Sequence, residues 1–194
     1  LFAPDNGAVA TVTSYGDSTA MSVTLEHPYV NDWYRTINIT QDGKVTISNG
    51  LFMVKPRAQG SGFGAKVFSD QVQACANAGV DKIGALAGKG MVGTQKMNGY
   101  YTWPRLGYDA PLKDSFKKRL PQNLRECETV LDLMETPEGR EHWKERGYME
   151  EMTFDLTPGS RSLKVLGEYR QAKGLPPLQI DEARANEIRA TRKK

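Results

Sequence analysis

The chain has 194 residues, of which 39% are hydrophobic and 25% are charged, a composition typical of a folded globular protein rather than a disordered or fibrous one. A net charge of +3 is too small to indicate nucleic acid as a partner, and two cysteines with two histidines predict neither a disulfide framework nor a metal site. Since no apolar run approaches the ~18 to 20 residues of a membrane-spanning helix, we expect no membrane partner and a cytoplasmic location. The chain begins at Leu1 rather than Met, which indicates a processed product or a piece of a longer polypeptide.

The first fifty residues alternate apolar and polar positions in short stretches, which predict an antiparallel meander of strands. These stretches read AVATVT, SVTLEH, WYRTINIT and VTISNGLFMV. Asp42 and Gly43 predict a tight hairpin between Tyr34–Thr40 and Val45–Asn49, in which the pair supplies the positive φ angles of the turn. Pro56 cannot donate a hydrogen bond to a sheet, so the last strand of the meander should end just before it.

A glycine-rich segment at 57–64 separates the meander from a predicted helix. Apolar residues recur at spacings of four and three from Phe68 to Cys75, as on the buried face of a helix, and Gly79 ends the pattern. The apolar run at 83–87 then predicts a buried strand. Strand, loop, helix and strand together predict a βαβ unit with a phosphate-binding style of loop at its crossover.

The rest of the chain changes character twice. Residues 88–99 predict a flexible stretch, and an aromatic segment follows at 100–109. Beyond this point the sequence is charged and mainly helical, so we expect a core at 1–110 and a helical C-terminal extension at 111–194, packed on the core through Trp143. Helices are expected near 113–119, 122–135, 137–146, 160–173 and 181–192, with one late strand at 153–156.

The glycine-rich loop has the properties of an anion site. Glycine lets the backbone turn with its amides converging, and the unsatisfied amides and dipole of the following helix add positive potential. The loop is not a nucleoside-triphosphate P-loop, because no Gly-Lys-Ser/Thr follows, and it lacks the third glycine of a dinucleotide-binding fingerprint at the expected spacing. A pyrophosphate is therefore the anion that we expect.

The segment Gln59-Gly60-Ser61-Gly62-Phe63-Gly64 resembles the acetyl-coenzyme A motif of the Gcn5-related N-acetyltransferase (GNAT) superfamily, Gln/Arg-x-x-Gly-x-Gly/Ala. The order of the predicted elements over about residues 8–110 is similar to that family as well, with Trp103 to Tyr108 in the place of a helix that closes with Tyr-x-x-x-Gly-Phe. The resemblance implies an α+β fold: a mixed, mostly antiparallel sheet with a central βαβ unit, to which this chain adds its helical C-terminal extension.

The resemblance also implies a cofactor, acetyl-coenzyme A, and the residues that would hold it. The pyrophosphate would bind the amides of the loop, and the pantetheine arm would lie where two parallel strands splay, beside 52–55 and 83–86. The cofactor-binding residues implied in this way are Val54, Gln59, Gly60, Ser61, Gly62, Phe63, Gly64 and Ala65.

Catalysis in this family is direct attack of a substrate amine on the thioester, with a base that takes the amine proton and often a tyrosine that protonates the departing thiolate. The usual position of that tyrosine is Trp103 here, whose indole is no suitable acid, so Tyr100 or Tyr101 would have to substitute. Glu26 and its neighbour His27 are the candidates for the base. Specificity for the acceptor amine would lie in early loops around 6–20 and 28–33.

Three functions are compatible with these features. The first is an acetyltransferase that acts on an amine-bearing acceptor. The second is a GNAT-like structural or assembly module, for example associated with a bacteriophage virion, which has reduced or lost catalysis and contacts a protein partner or a larger parent polypeptide through its C-terminal helices. The third is an acyltransferase-like toxin domain cut from a larger protein.

Overall fold

The computed structural model describes residues 9–14, 20–93 and 95–192, which form eight strands and seven α-helices. The strands are β1 (Val9–Ser14), β2 (Ala20–Glu26), β3 (Val30–Ile39), β4 (Val45–Val54), β5 (Lys82–Ala87), β6 (Lys89–Val92), β7 (Gln95–Asn98) and β8 (Glu150–Asp155). The helices are α1 (Phe63–Asn77), α2 (Gly99–Thr102), α3 (Asp114–Lys117), α4 (Val130–Glu135), α5 (Pro137–Arg146), α6 (Arg161–Ala172) and α7 (Glu182–Thr191). Short 3-10 helices span Pro56–Ala58, Pro104–Leu106 and Gln122–Leu124.

A six-stranded sheet runs through the protein in the order β1-β2-β3-β4-β5-β8. The first four strands form the predicted antiparallel meander, β5 lies parallel to β4 with α1 as the crossover, and β8 pairs antiparallel with β5. This arrangement confirms the predicted fold class, an α+β protein with a mixed, mostly antiparallel sheet around a βαβ unit.

The crossover helix α1 forms where the sequence predicts it. Gly62 precedes the helix at φ 83°, a left-handed conformation that favours glycine, and Gly79 follows it at φ 69°. Phe68, Val72 and Cys75 are buried against the sheet. Because such burial contributes about 1.5–3 kcal/mol for a large apolar side chain, the apolar face fixes the position of the helix, and with it the loop at its start.

The hairpin between β3 and β4 corrects the prediction for Asp42 and Gly43. Ile39 pairs with Val45, so the connection has five residues, and only Gly43 within it has a positive φ, of 75°. The side chain of Thr40 donates to Asp42 and accepts from the Lys44 amide, at 3.1 Å for the second bond. These side-chain bonds close a longer loop, so the second positive φ angle of a two-residue turn is not needed.

The segment at 88–99, predicted to be flexible, is instead a β-hairpin. Strands β6 and β7 pair from Lys89 with Asn98 to Val92 with Gln95, and they form a separate two-stranded sheet. Its turn includes Gly93 at φ 57°. The glycine content of this segment predicts flexibility, whereas Gly93 in fact supplies a turn between two strands.

Two further corrections concern the helices after residue 110. The helix expected at 113–119 is the single turn α3, and the helix expected at 122–135 is a 3-10 turn followed by α4. The break has a local cause: Thr129 caps α4, with its hydroxyl accepting from the Asp132 amide at 3.3 Å while the Asp132 carboxylate accepts from the Thr129 amide at 2.7 Å. The late strand is β8, which starts three residues before the expected 153–156.

The C-terminal segment shares the core of the sheet rather than standing beside it. Trp143 is fully buried and its indole N–H donates to the Tyr100 carbonyl at 2.7 Å, as expected of an anchor. At the other end of this segment, Arg189 donates to the Val80 carbonyl at 2.9 Å and Arg192 donates to the Gly79 carbonyl at 2.9 Å, which holds α7 against the end of α1. No helix among the described residues is both long and apolar enough to cross a bilayer.

Candidate functional site

The site begins where β4 and β5 separate. Their pairing ends at Asn49 with Ala85, although both strands continue. On its other edge β4 carries a bulge: Arg35 pairs with Asn49 but Trp33 pairs with Phe52, so Tyr34 faces two residues of β4 instead of one. A bulge bends its strand and increases its twist, which explains why β4 leaves β5 at this point. We call the opening between the strands the split.

A buried amide pair fixes the start of the split. The Asn49 amide nitrogen donates to the Gln71 side-chain oxygen at 3.0 Å, and the Gln71 amide nitrogen donates back to the Asn49 oxygen at 2.8 Å. The same Asn49 nitrogen also donates to the Tyr108 hydroxyl at 3.1 Å. Because all three side chains are buried, breaking one bond would leave polar atoms without water, so the last paired residue of β4 is held firmly against α1.

The glycine-rich loop lies at the far end of β4, beside the split. Gly60 and Gly62 have φ of 75° and 83°, and a Cβ atom at either residue would meet no atom within 4 Å, so both glycines are required by backbone conformation and face open space. The Ser61 hydroxyl donates to the Ala58 carbonyl at 2.7 Å, and the Gln59 side chain donates to the Val54 carbonyl at 2.9 Å, which ties the loop to the strand.

The amides of this loop remain available to a ligand. Within the described part of the chain, the backbone N–H groups of Gly62, Gly64 and Ala65 donate to no protein acceptor, because α1 makes its first backbone bond from Lys66 to the Gly62 carbonyl, at 3.0 Å. These amides and the helix dipole point positive potential at the groove, which suits an anion.

A groove of about 1800 Å³ runs from the loop through the split. All eight residues that sequence analysis proposed for cofactor binding line it; that they bind a cofactor stays a prediction. The groove is also lined by residues far away in the chain, from the β6–β7 hairpin and from the segment 169–179. Together they close the groove on the side that the first 110 residues leave open.

The start of α1 is held by an aromatic cluster. The Phe63 ring lies 5.0 Å from the His27 ring and 5.7 Å from the Tyr29 ring, measured between centroids. The His27 Nδ1 atom accepts from the Tyr29 amide at 3.1 Å, and the imidazole is buried. His27 therefore packs against the first residue of α1, where the glycine-rich loop ends.

The proposed catalytic residues lie outside the groove lining. The Tyr100 hydroxyl donates to the Lys144 carbonyl at 2.7 Å, and the guanidinium of Arg105 covers the Tyr101 ring at 5.6 Å from its centroid. Glu26 is exposed at the end of β2, opposite Val9 of β1. None of these three residues lines the groove, and their roles stay predictions.

Trp103 does line the groove, with its ring packed on the buried Phe68 and Tyr108 at 5.6 and 5.3 Å between centroids. Of the loops proposed for acceptor specificity, 6–8 and 15–19 lie outside the described residues, and 30–33 is the start of β3.

Sequence analysis missed a tyrosine that does line the groove, Tyr34. A Cβ atom at Gly50 would lie 2.0 Å from Cε2 of the Tyr34 ring, so the ring rests on bare backbone at the bulge. A glycine inside a strand is a signal of a bulge or of a close approach, and Gly50 is that signal here.

The two sides of the groove differ in chemistry. On the sheet face away from α1, Tyr34, Leu86 and Met149 expose 49%, 55% and 52% of their surface, and we call them the apolar rim. On the side of α1 lie Lys66, Arg105 and Lys173, the cationic rim. Among the described residues, six basic ones (Lys66, Lys89, Lys96, Arg105, Arg170 and Lys173) and one acid, Asp70, line the groove, although basic and acidic residues number 26 and 23 in the chain. This bias favours a ligand with several negative charges.

Titratable groups behind the groove wall keep their usual protonation states at neutral pH. Burial raises the pKa of the Tyr108 hydroxyl, against the opposing effect of its bond from Asn49, and burial raises the pKa of the Cys75 thiol to about 12. Burial lowers the pKa of Arg35 to about 10, which leaves the guanidinium charged. The Tyr108 hydroxyl and the Cys75 thiol are therefore neutral and the Arg35 guanidinium is charged at neutral pH.

No family model matches the chain, and no curated protein is similar to it in sequence. Among solved structures, it is similar to a GNAT family acetyltransferase from Elizabethkingia anophelis with acetyl-CoA bound (12% identity, 78% of this chain and 99% of that chain, TM-score 0.37). It is also similar to BjaI, a CoA-dependent acyl-homoserine lactone synthase (14% identity, 91% and 78%, TM-score 0.38).

A third structure is N-acetylglutamate synthase from Neisseria gonorrhoeae, complexed with coenzyme A and N-acetyl-glutamate (13% identity, TM-score 0.34), where the match covers 70% of this chain and a quarter, 25%, of the larger protein. With TM-scores of 0.34 to 0.38, these similarities carry no argument about this chain. Identities this low carry no substrate over to it, so the functional argument comes from the groove. Among the described residues, no three His, Cys, Asp or Glu side chains are grouped as metal ligands would be.

Proposed function

We propose that this protein binds acetyl-coenzyme A in the groove and transfers the acetyl group to a primary amine. The observation that carries the proposal is the loop at the end of the split, where two left-handed glycines leave the amides of Gly62, Gly64 and Ala65 free to receive a pyrophosphate. The six basic residues around the groove support the same conclusion, because coenzyme A is a polyanion.

In this proposal the split holds the pantetheine arm. Residues 50–54 of β4 have no neighbouring strand on the β5 side, so their edge can bond the amides of the arm as a strand would. Phe52 and Val54 line the same stretch and would pack against it. The protein thus orients the thioester toward the apolar rim, where an acceptor can reach it.

Acetyl-coenzyme A supplies a thioester: the amine nitrogen forms a C–N bond to the acetyl carbon while the C–S bond breaks, the amine loses a proton and the thiolate gains one. We propose Glu26 as the base and Tyr100 or Tyr101 as the acid, in place of the family's usual tyrosine, whose position is Trp103 here. Tyr100 would first have to release the Lys144 carbonyl. Comparing kcat and KM for Tyr100→Phe and for Tyr34→Phe separates the predicted acid from the hydroxyl that already lines the groove, since loss of the acid lowers kcat.

Calorimetric titration of acetyl-coenzyme A into the full chain tests the cofactor, with thermal stability followed in parallel because a ligand of the native state raises Tm. We expect micromolar binding that is lost in Gly62→Val. Gly159→Val is the matched control: Gly159 also has a positive φ, of 76°, and also faces open space, so it carries the same backbone strain away from the groove. Equal loss of binding in both variants would contradict the proposal.

A second function is favoured by one observation, the placement of the tyrosine hydroxyls. With Trp103 in the family's tyrosine position and Tyr100 bonded to Lys144, we propose as the alternative an assembly module with reduced catalysis, for example virion-associated, that contacts a protein partner through its C-terminal helices. Absence of binding at millimolar coenzyme A would favour this alternative over the acetyltransferase.

A further inference from the structure

The C-terminal segment that closes the groove sits at one particular place on α1. Lys66, Asp70 and Gln73 form a stripe along this helix, at spacings of four and three residues. The Gln73 side-chain oxygen accepts from the Gln179 amide at 2.8 Å, so residues after α6 cross the far end of the stripe. The stripe therefore leads from the glycine-rich loop to the segment that follows α6.

The turn after α6 is built rigidly. Arg170 is buried, and its guanidinium donates twice to the Pro176 carbonyl, at 2.9 and 2.5 Å. The guanidinium of Arg170 is therefore occupied by a protein acceptor. Lys173, at the end of α6, lines the groove from an exposed position and forms no ion pair with any acidic residue in the described ranges. The backbone of Lys173 is therefore held in place by this turn, while its ammonium group pairs with no described acidic residue.

Where the adenosine end of coenzyme A lies is inferred on the basis of the proposed function. If the pyrophosphate binds the loop and the pantetheine enters the split, the adenosine is left with the rest of the groove, which is lined by the stripe of α1 and by residues of the segment 169–179. We propose that the 3′-phosphate of coenzyme A binds Lys173, so that the C-terminal extension is part of the cofactor site. A phosphate dianion beside an ammonium group forms a charge-assisted contact that a 3′-hydroxyl cannot form.

Coenzyme A and dephospho-coenzyme A differ only in this phosphate, so titration of both into the full chain tests the assignment. We expect the wild-type chain to bind coenzyme A about fivefold more tightly than dephospho-coenzyme A, the effect of one partly exposed ion pair. Lys173→Gln should remove that preference by weakening coenzyme A about fivefold while leaving dephospho-coenzyme A unchanged. Lys164→Gln is the control, since Lys164 is an exposed lysine of the same helix outside the groove lining.

The outcomes separate this inference from the function on which it rests. If coenzyme A binds but Lys173→Gln weakens both ligands equally, or neither, the 3′-phosphate does not bind Lys173 and only this inference is overturned. If coenzyme A does not bind the wild-type chain, the proposed function fails and the inference fails with it. Adenosine 3′,5′-bisphosphate carries the same phosphate, so its affinity in direct titration should also fall about fivefold in Lys173→Gln; an unchanged affinity would also overturn the assignment.

Discussion

The cationic rim and the apolar rim belong to one groove but are built in different ways. The cationic rim brings together α1, a 3-10 turn and the end of α6, which are more than one hundred residues apart at the extremes of Lys66 and Lys173. The apolar rim is formed by Tyr34 in the middle of β3, opposite the bulge at Gly50, by Leu86 near the end of β5 and by Met149 just before β8. One backbone feature, the split, thus separates basic side chains on one face of the sheet from apolar side chains on the other.

The largest effect is expected from the residue that holds the split itself. Asn49→Ala removes the partner of Gln71 and leaves a buried amide unsatisfied, which should lower the free energy of unfolding by about 2–3 kcal/mol and weaken coenzyme A binding as the strands rearrange. Urea unfolding and calorimetry measure the two effects. Ser48→Ala, at an exposed position of the same strand, should change stability by less than ~0.5 kcal/mol; a similar cost there would show that the amide pair is unimportant.

A change confined to the apolar rim should affect stability through one contact. Gly50→Ala places a Cβ atom against the Tyr34 ring and should cost about 1–2 kcal/mol, because the ring must move. In a Tyr34→Ala background the same substitution should cost less than half as much, which a double-mutant cycle of urea unfolding measures. An equal cost in both backgrounds would mean that backbone strain, not the ring, requires the glycine.

Salt should weaken only the ligand contacts of the cationic rim. Raising the ionic strength from about 0.05 to about 0.5 M should weaken coenzyme A binding about tenfold, since exposed charges are screened. Pantetheine carries no phosphate, so its weaker binding should not change with salt. Equal salt dependence of the two ligands in calorimetry would show that the rims do not divide the ligand as described.

The smallest effect has the opposite sign. Within the described ranges Asp70 is the one acid that lines the groove, and its carboxylate pairs with Lys66 at 2.6 Å in an exposed position. Asp70→Asn should therefore tighten coenzyme A binding about twofold by removing a like charge and releasing Lys66. Asp114→Asn changes an exposed acid outside the groove lining and should leave the affinity unchanged. Weaker binding in Asp70→Asn would contradict an anionic ligand on this side of the groove.

Much of the site was predictable because its parts are local. The loop before α1 is defined by glycines at every second position and the helix by the spacing of Phe68, Val72 and Cys75, so the sequence predicts both. The prediction of a flexible segment was wrong for the hairpin at 89–98. Glycine is compatible with both a turn and a flexible chain, and the neighbouring residues do not distinguish the two. The tyrosine that lines the groove was missed because its position depends on a bulge in the neighbouring strand.

By itself the sequence determined the meander, the βαβ unit and the glycine-rich loop, since alternation, helical spacing and positive φ angles are properties of neighbouring residues. Only the tertiary structure decided where β4 leaves β5, that the Tyr100 hydroxyl bonds Lys144, and that Lys173 faces the same groove as Lys66. Those three outcomes depend on contacts between segments far apart in the chain. Such contacts are selected by burial and by hydrogen bonds of the whole core, which no local pattern contains.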